Sequence, residues 1–187
     1  MCVGSLKMSL RRELRCRLSE RKSLVETIAG VLKSNEWTVA TAESLTGGDL
    51  CARLIDMPGA SEVVRGGIVA YATDLKSSLL GVDRGLLARH GPVTAEVARQ
   101  MAAGVRELCR ADYGLATTGV AGPGDSEDGP EGLVYIAVVG PSQSAVRELN
   151  LSGGRSAVRS ATVAEALALL REVVEREVDE GGTHSST

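Results

Sequence analysis

The fold of this chain is decided by residues 37–48, which read Trp37-Thr38-Val39-Ala40-Thr41-Ala42-Glu43-Ser44-Leu45-Thr46-Gly47-Gly48. The first six residues are rich in β-formers and uncharged, which is typical of a short buried strand. The polar residues and two glycines that follow form a turn, and a helical segment then reaches about Asp56. A buried strand that passes through such a turn into a helix predicts an α/β protein.

The same order of strand and helix recurs downstream. Residues 66–71 predict a second strand, and Thr73 can cap a helix that ends before Gly81. A helix over residues 94–110 and a third strand over residues 113–118 follow. The apolar stripe of that helix comprises Val97, Met101, Val105 and Leu108. Strands joined through helices predict parallel neighbours in a sheet that is covered on both faces.

The remainder of the chain predicts a hairpin and one long helix. Residues 119–132 form a loop with two prolines and five glycines. Strands over residues 133–139 and 145–151 make the hairpin, and a helix covers residues 155–178. The fold class is therefore a three-layer α/β/α sandwich with a mixed, mostly parallel five-stranded sheet.

One domain over residues 19–180 is predicted, and it opens with a helix over residues 19–34. Residues 1–18 form a basic, partly disordered extension, and residues 181–187 have the composition of a disordered tail. A loop with His90-Gly91-Pro92 precedes the helix that begins near residue 94.

Four segments are predicted to meet at one edge of the sheet. If the loop after the third strand returns the chain antiparallel and the hairpin reverses it again, the fifth strand ends where the first three end. The segments that follow these strands are residues 43–48, 71–76, 117–124 and 152–155. Because open α/β sheets bind ligands outside the carboxyl ends of their strands, we expect the functional site there.

The composition narrows the function classes. The 187 residues are 43% hydrophobic and 24% charged, which is typical of an ordinary soluble domain. The net charge of −3 gives the chain no overall positive potential that would attract nucleic acid. The four cysteines form no CxxC pair, so neither a zinc site nor a disulfide framework is predicted. No apolar run approaches the roughly 18 residues that a transmembrane helix needs, so we expect a cytoplasmic protein.

Ser44 is the candidate nucleophile. It occupies a strand-to-helix turn that exposes a side chain and leaves backbone N–H groups free to hold an oxyanion. A serine in such a turn is more often a helix cap than a nucleophile, and Thr46 can cap equally well. Because the only histidines are His90 and His184, a Ser-His-Asp triad is not expected. Lys76 is the natural substitute, in a Ser-Lys or a Ser-Tyr-Lys arrangement with Tyr71.

For Lys76 to act as a base near neutral pH, its pKa must fall from about 10.4 towards about 7. Desolvation or a cationic neighbour such as Arg155 can produce that fall. Phosphate binding is suggested by the segment from Ser152 to Arg155, where a guanidinium and the free N–H groups of a helix start coincide. The glycine-rich segment from Thr118 to Gly124 lets backbone amides approach a ligand, but it is not a P-loop.

Acidic side chains in the loop over residues 119–132 are read as a solvated turn rather than as metal ligands. They are Asp125, Glu127, Asp128 and Glu131. We therefore predict no metal and no organic cofactor.

Several motifs together resemble the CinA C-terminal domain family, and the match runs in order from about Leu24 to Val178. The motifs are Ala42-Glu43-Ser44-Leu45-Thr46-Gly47-Gly48, Tyr71-Ala72-Thr73-Asp74-Leu75-Lys76, His90-Gly91-Pro92-Val93-Thr94, Thr118-Gly119-Val120-Ala121-Gly122-Pro123 and Gly154-Arg155. Members of that family include nicotinamide-nucleotide amidases, which convert nicotinamide mononucleotide to nicotinate mononucleotide and ammonia in pyridine nucleotide salvage. The family fold is a three-layer α/β/α domain with a mixed sheet.

The resemblance implies a role for each matching residue. Ser44 is the implied nucleophile, and Tyr71 and Lys76 are its activating partners. The implied substrate-binding residues are Thr46, Gly47, Gly48, Thr118, Gly119, Gly122 and Arg155. The family's frequent N-terminal partner domain, related to molybdopterin-binding folds, is absent from these residues, so the resemblance implies a stand-alone amidase.

Three positions depart from the family pattern. Leu45 stands where cysteine is common, Asp74 where asparagine is usual, and Gly154 where an acid often precedes the arginine. Asp74 is expected to add a negative charge near Lys76, which opposes the required fall of the lysine pKa.

Two other functions compete with an amidase that acts on a small nucleotide. One is a non-catalytic nucleotide-binding module in which Ser44 only donates a hydrogen bond. The other is a regulatory protein, suggested by the association of the family with competence and DNA damage and by the basic N-terminus. We expect a homo-oligomer, with a dimer favoured, and neither membrane nor nucleic acid as a partner.

Overall fold

The computed structural model describes residues 24–181, and its centre is a five-stranded sheet in the order β2-β1-β3-β4-β5. The strands are β1 (Val39–Glu43), β2 (Val64–Val69), β3 (Tyr113–Gly119), β4 (Leu133–Val139) and β5 (Ser144–Asn150). β1 pairs in parallel with both β2 and β3. β4 pairs antiparallel with β3 and with β5.

The predicted reversals of chain direction are confirmed by this pairing. Because β4 runs against β3 and β5 runs against β4, β5 points the same way as β1, β2 and β3. The segments that follow these four strands therefore lie at one edge of the sheet, where the site was expected.

Seven helices flank the sheet in the described part of the chain. They are α1 (24–34), α2 (Asp49–Ile55), α3 (Ala60–Val63), α4 (Thr73–Leu80), α5 (Arg84–His90), α6 (Ala95–Cys109) and α7 (Gly154–Gly181). The prediction of a basic extension over residues 1–18 lies outside the described residues, as do the start of the first predicted helix and residues 182–187 of the predicted tail.

The sheet is buried on both faces, as a three-layer sandwich requires. Side chains from α1, α2, α3 and α7 form one aliphatic cluster with residues such as Leu115 and Ile136. Side chains from α4 and α6 form the other with Ala42 and Ala116, and α5 packs against it. The predicted fold class is confirmed, and every residue of β1 is buried.

Two details of the middle region were predicted wrongly. The segment before His90-Gly91-Pro92 is helix α5 rather than loop, because the Asp83 side chain caps it by accepting from the N–H of Leu86. Leu108 does not continue the buried stripe of α6, since it is 55% exposed. The position four residues after Val105 is Cys109, which packs against the core instead.

Smaller corrections concern element ends. Strand β2 spans Val64–Val69, so Tyr71 lies beyond it rather than at its end. The N-cap of α4 is Ala72 and Thr73 is the first helical residue, so Thr73 does not cap that helix. The predicted cap of α6 is confirmed, because Thr94 accepts from the N–H of Val97.

Candidate active site

Ser44 and Lys76 meet at the predicted edge of the sheet. The Lys76 Nζ lies 3.0 Å from the Ser44 Oγ and donates a hydrogen bond to it. Ser44 follows β1 directly, and Lys76 lies on the first turn of α4, which comes after β2. Both side chains are buried, with 8% of Ser44 and 1% of Lys76 exposed. Lys76 is therefore not a surface lysine.

Three acceptors surround the Lys76 amine. Besides Ser44, the Nζ donates to the carbonyl oxygens of Ala70 at 2.9 Å and Tyr71 at 3.3 Å. An ammonium has three N–H donors, so this set satisfies it completely. When the amine is neutral, two N–H groups remain for the two carbonyls, and the lone pair faces the serine. The end of β2 thus orients the amine so that, in the neutral form, its lone pair points to the Ser44 hydroxyl.

Burial lowers the pKa of Lys76 from 10.5 to about 8, because the apolar surroundings disfavour the charged form. The one carboxylate that opposes this fall is Asp128, on the loop between β3 and β4. The charge expected from Asp74 does not contribute. Arg155 is not a cause of the lowered pKa either, since desolvation produces it.

This depressed pKa predicts a pH-dependent stability. Above pH 8 the folded lysine loses its proton while the unfolded lysine keeps it up to about 10.5, so stability rises with pH in that window. Urea unfolding of the wild type and of Lys76→Met at pH 7 and pH 10 measures the effect. We expect the wild type to gain about 2 kcal/mol relative to the variant.

The matched control for the loss of one positive charge is Lys33→Met, which removes an exposed lysine paired with Glu62. Equal pH responses of the wild type and Lys76→Met would show that the buried amine keeps its proton throughout this range.

A buried carboxylate shapes the turn that carries Ser44. The Glu43 side chain is 1% exposed and accepts from the N–H groups of Gly48, Leu50 and Cys51 at 2.7 to 3.1 Å. It therefore caps α2 from the preceding strand, and its charge complements the positive end of the helix dipole. Neither Ser44 nor Thr46 caps that helix, which leaves the serine hydroxyl available for chemistry.

The turn itself offers backbone donors. The N–H groups of Leu45 and Thr46 make no hydrogen bond with any residue between 24 and 181. Gly47 and Gly48 adopt φ angles of 63° and 100°, which side chains disfavour, so the tight turn requires glycine. An N–H from the residue after a nucleophile is the usual oxyanion donor at a strand-to-helix turn.

Two neighbouring threonines on β3 make hydrogen bonds through their hydroxyl groups at the same edge of the sheet as Ser44 and Lys76. The Thr117 hydroxyl lies 2.8 Å from the Thr46 hydroxyl in a buried pair. The Thr118 hydroxyl donates to the carbonyl oxygen of Pro92 at 2.8 Å, which ties β3 to the segment before α6. Gly119 is closed in by β4, since a Cβ there would lie 2.6 Å from the carbonyl oxygen of Leu133.

Tyr71 and Arg155 form the outer part of the site. The Arg155 guanidinium donates to the Tyr71 hydroxyl at 3.1 Å and to the carbonyl oxygen of Gly122 at 2.8 Å. Tyr71 is 59% exposed, and its phenol makes no hydrogen bond with Ser44 or Lys76. Its carbonyl oxygen, rather than its phenol, contacts the lysine. The catalytic role implied for Tyr71 stays a prediction.

Acidic side chains of the loop between β3 and β4 accept hydrogen bonds from the loop's own backbone. The Glu131 carboxylate accepts from the N–H of Gly124 at 2.5 Å, and its own N–H donates to Asp125 at 2.9 Å. Gly122 has a φ of 84°, a backbone conformation that other residues rarely adopt, so glycine is favoured there. Between residues 24 and 181 no group of three His, Cys, Asp or Glu side chains could hold a metal ion.

Residues 21–174 match the sequence model of the CinA C-terminal domain. The chain belongs to the CinA C-terminal domain family. A CinA-like protein of Frankia casuarinae is 50% identical over 152 residues, which cover 81% of this chain and 35% of that protein. A CinA-like protein of Gloeobacter violaceus is 44% identical over 164 residues, 86% of this chain and 38% of that protein. The chain spans about a third of the length of these curated relatives.

Solved structures of CinA proteins share the fold. The crystal structure of the competence/damage inducible protein CihA from Agrobacterium tumefaciens is 36% identical, with a TM-score of 0.79 over 82% of this chain and 94% of that one. A CinA superfamily protein from Klebsiella pneumoniae is 30% identical, with a TM-score of 0.80 over 83% of this chain and 98% of that one. In this CinA domain, none of the described helices is long and apolar enough to cross a bilayer.

Three residues of the site were missed by the sequence reasoning. Glu43 was quoted only as part of a motif, although an acid at the end of a buried strand signals a specific partner. Arg159 contacts the Ser44 turn, and its position one helical turn after Arg155 was the available signal. Asp128 was interpreted as part of a solvated turn, and no local sequence pattern indicates that its charge raises the pKa of Lys76.

Proposed function

We propose that this CinA domain hydrolyses the carboxamide of nicotinamide mononucleotide to nicotinate mononucleotide and ammonia, with Ser44 as the nucleophile. The observation that carries the proposal is the 3.0 Å contact between the Ser44 hydroxyl and a buried lysine whose pKa is about 8. A neutral amine at this distance can accept the serine proton, which is the role that the histidine plays in a Ser-His-Asp triad.

The reaction divides into two acyl-transfer steps. The Ser44 Oγ attacks the carboxamide carbon while Lys76 takes its proton, and free N–H groups of the turn stabilise the oxyanion. The C–N bond then breaks, and Lys76 returns the proton to the leaving nitrogen, so ammonia departs and an ester remains on Ser44. Water attacks that ester with Lys76 again as the base, which releases the carboxylate and restores the serine.

The outer residues suit the phosphate of a nucleotide. Arg155 bridges Tyr71 and Gly122 at the first turn of the 28-residue helix α7, whose free N–H groups favour an anion. Tyr71 joins this anion-binding end to the reacting end, since its carbonyl oxygen contacts Lys76. The substrate would therefore lie with its phosphate at Arg155 and its carboxamide at Ser44.

The direct test is to incubate the purified protein with nicotinamide mononucleotide and to measure ammonia and nicotinate mononucleotide in equal amounts. Absence of both products from folded protein would contradict the proposal. Tight binding of the nucleotide by calorimetry, without turnover, would instead favour the non-catalytic binding module.

Arg155→Met is expected to raise the KM for the nucleotide by about 10- to 100-fold, because a charge-assisted hydrogen bond contributes about 1.5 to 3 kcal/mol. The kcat should change less, since Arg155 does not touch Ser44 or Lys76. Steady-state kinetics measures both constants. Arg176→Met, which removes an exposed arginine from the other end of α7, is the matched control. An unchanged KM in Arg155→Met would place the phosphate elsewhere.

The expected homo-oligomer belongs to the same proposal. Among residues 24–181 no strand pairs with the outer side of β2, and Val69 and Tyr71 near its end are 44% and 59% exposed. Exposed apolar side chains beside an unpaired edge favour contact with another chain. Light scattering during size-exclusion chromatography measures the number of subunits, and a monomer at all concentrations would contradict the expectation.

A further inference from the structure

Arg159 holds the backbone of the turn that carries Ser44. Its Nε donates to the carbonyl oxygen of Leu45 at 2.9 Å, and its Nη2 donates to the carbonyl oxygen of Thr46 at 2.7 Å. The same Nη2 lies 2.6 Å from the Asp49 carboxylate on α2. One guanidinium on α7 thus joins the two carbonyls that follow Ser44 to the first residue of the next helix.

Arg159 is the main hydrogen-bond donor to these two carbonyls among the described residues. Thr46 also accepts from the N–H of Asp49, whereas Leu45 accepts from Arg159 alone among the described residues. In a trans peptide the C=O and N–H groups point in opposite directions. A Leu45 carbonyl held against α7 therefore directs the N–H of Thr46 away from α7 and fixes the plane of the Leu45–Thr46 peptide, the second peptide after the nucleophile.

Glu43 holds the same turn from its other side. Its carboxylate accepts N–H groups of Gly48, Leu50 and Cys51, while Arg159 donates to the carbonyls of Leu45 and Thr46. The backbone around Ser44 is thus fixed by one buried anion and one cation. Of these two, Arg159 comes from a distant helix and sets the turn relative to α7, which also carries Arg155.

We infer that Arg159 is a positioning residue: it fixes the peptides after Ser44 so that the hydroxyl stays on Lys76 and the turn keeps its N–H groups aligned for an oxyanion. The inference rests on the proposed function for its kinetic part. Arg159 makes no hydrogen bond with Ser44 or Lys76, so it takes no part in proton transfer. Its loss should lower kcat while KM and the pH profile stay as they are.

The experiment compares Arg159→Met, Arg159→Lys and Arg159→Ala with a matched control, Arg147→Met. Arg147 also ties a strand to α7, through Glu165 and Glu172, and its side chain is 34% exposed against 32% for Arg159. It lies on β5, and it does not contact the Ser44 turn. Thermal unfolding of all variants measures the general cost of losing an arginine anchor.

We expect Arg159→Met to lower the kcat for ammonia release on the order of 100-fold, the effect of misplacing a reacting group by about 1 Å. The lysine variant should recover only part of this loss, because one ammonium cannot reproduce the planar guanidinium fork. Added guanidinium ion should raise the rate of Arg159→Ala, while Arg147→Met should keep the wild-type kcat. A wild-type kcat in Arg159→Met, or an equal loss in Arg147→Met, would overturn the inference.

Hydrogen exchange separates this inference from the proposed function. In Arg159→Met the hydrogen-bonded amides of Ser44, Gly47 and Gly48 should exchange faster than in the wild type, and those of β4 should not change. This readout needs no substrate, so it decides the role of Arg159 even if the wild type releases no ammonia. Unchanged exchange of the turn in Arg159→Met would overturn the inference whatever the activity.

Discussion

Ser44→Ala is expected to abolish the release of ammonia from nicotinamide mononucleotide, with kcat falling on the order of 10⁴-fold or more. Without the hydroxyl no ester can form, and the buried Lys76 amine would have only water to activate. The nucleotide should still bind with a similar affinity, because Arg155 and the start of α7 are untouched. Calorimetry on the variant therefore separates loss of chemistry from loss of binding.

A covalent intermediate provides an independent measure. Rapid acid quench of the wild type during turnover should leave the nicotinate mononucleotide ester on the peptide that contains Ser44, detected as an added mass. Ser77→Ala is the matched control, because Ser77 neighbours Lys76 in the chain but its hydroxyl accepts from Arg84 instead. Full activity in Ser44→Ala would contradict both the nucleophile and the proposed mechanism.

Much of the fold could be predicted because it depends on patterns that are local in the chain. The alternation of short buried strands with amphipathic helices fixed the element types, and the number of chain reversals fixed which strand ends share an edge. Helix α5 was missed because its residues show no buried face, and its signal is the single capping residue Asp83. Element ends depend on such single contacts, which periodicity does not detect.

The site was predictable only in part, for a related reason. Ser44 and Lys76 each follow a strand that ends at the same edge, so strand parity alone brings them together. Arg159 contacts the turn across 114 positions of sequence, and Asp128 acts on Lys76 from a loop whose path no periodic pattern describes. Contacts between side chains on different layers of the sandwich depend on how the layers pack. Local sequence patterns do not specify that packing.

Removing Lys76 is expected to have the second-largest effect, because the lowered pKa is what makes the amine a base. At pH 7 a lysine with a pKa of about 8 is roughly one-tenth neutral, whereas one with a pKa of 10.5 is neutral in roughly one molecule in 3,000. Burial thus raises the fraction of usable base by roughly 300-fold. Lys76→Met should lower kcat/KM by about 10³- to 10⁴-fold, within the range of general-base catalysis.

The pH dependence tests whether the neutral amine is the active form. The wild-type kcat/KM should rise about tenfold per pH unit up to about pH 8 and then level off, since the proposed mechanism needs deprotonated Lys76 to accept the serine proton. Asp128→Asn should move this limb to lower pH, because the Asp128 carboxylate raises the pKa of Lys76. Asp125→Asn, on the same loop, is the matched control and should leave the limb in place. A profile that is flat between pH 6 and pH 9, or one that Asp128→Asn moves to higher pH, would exclude Lys76 as the base whose protonation limits the rate.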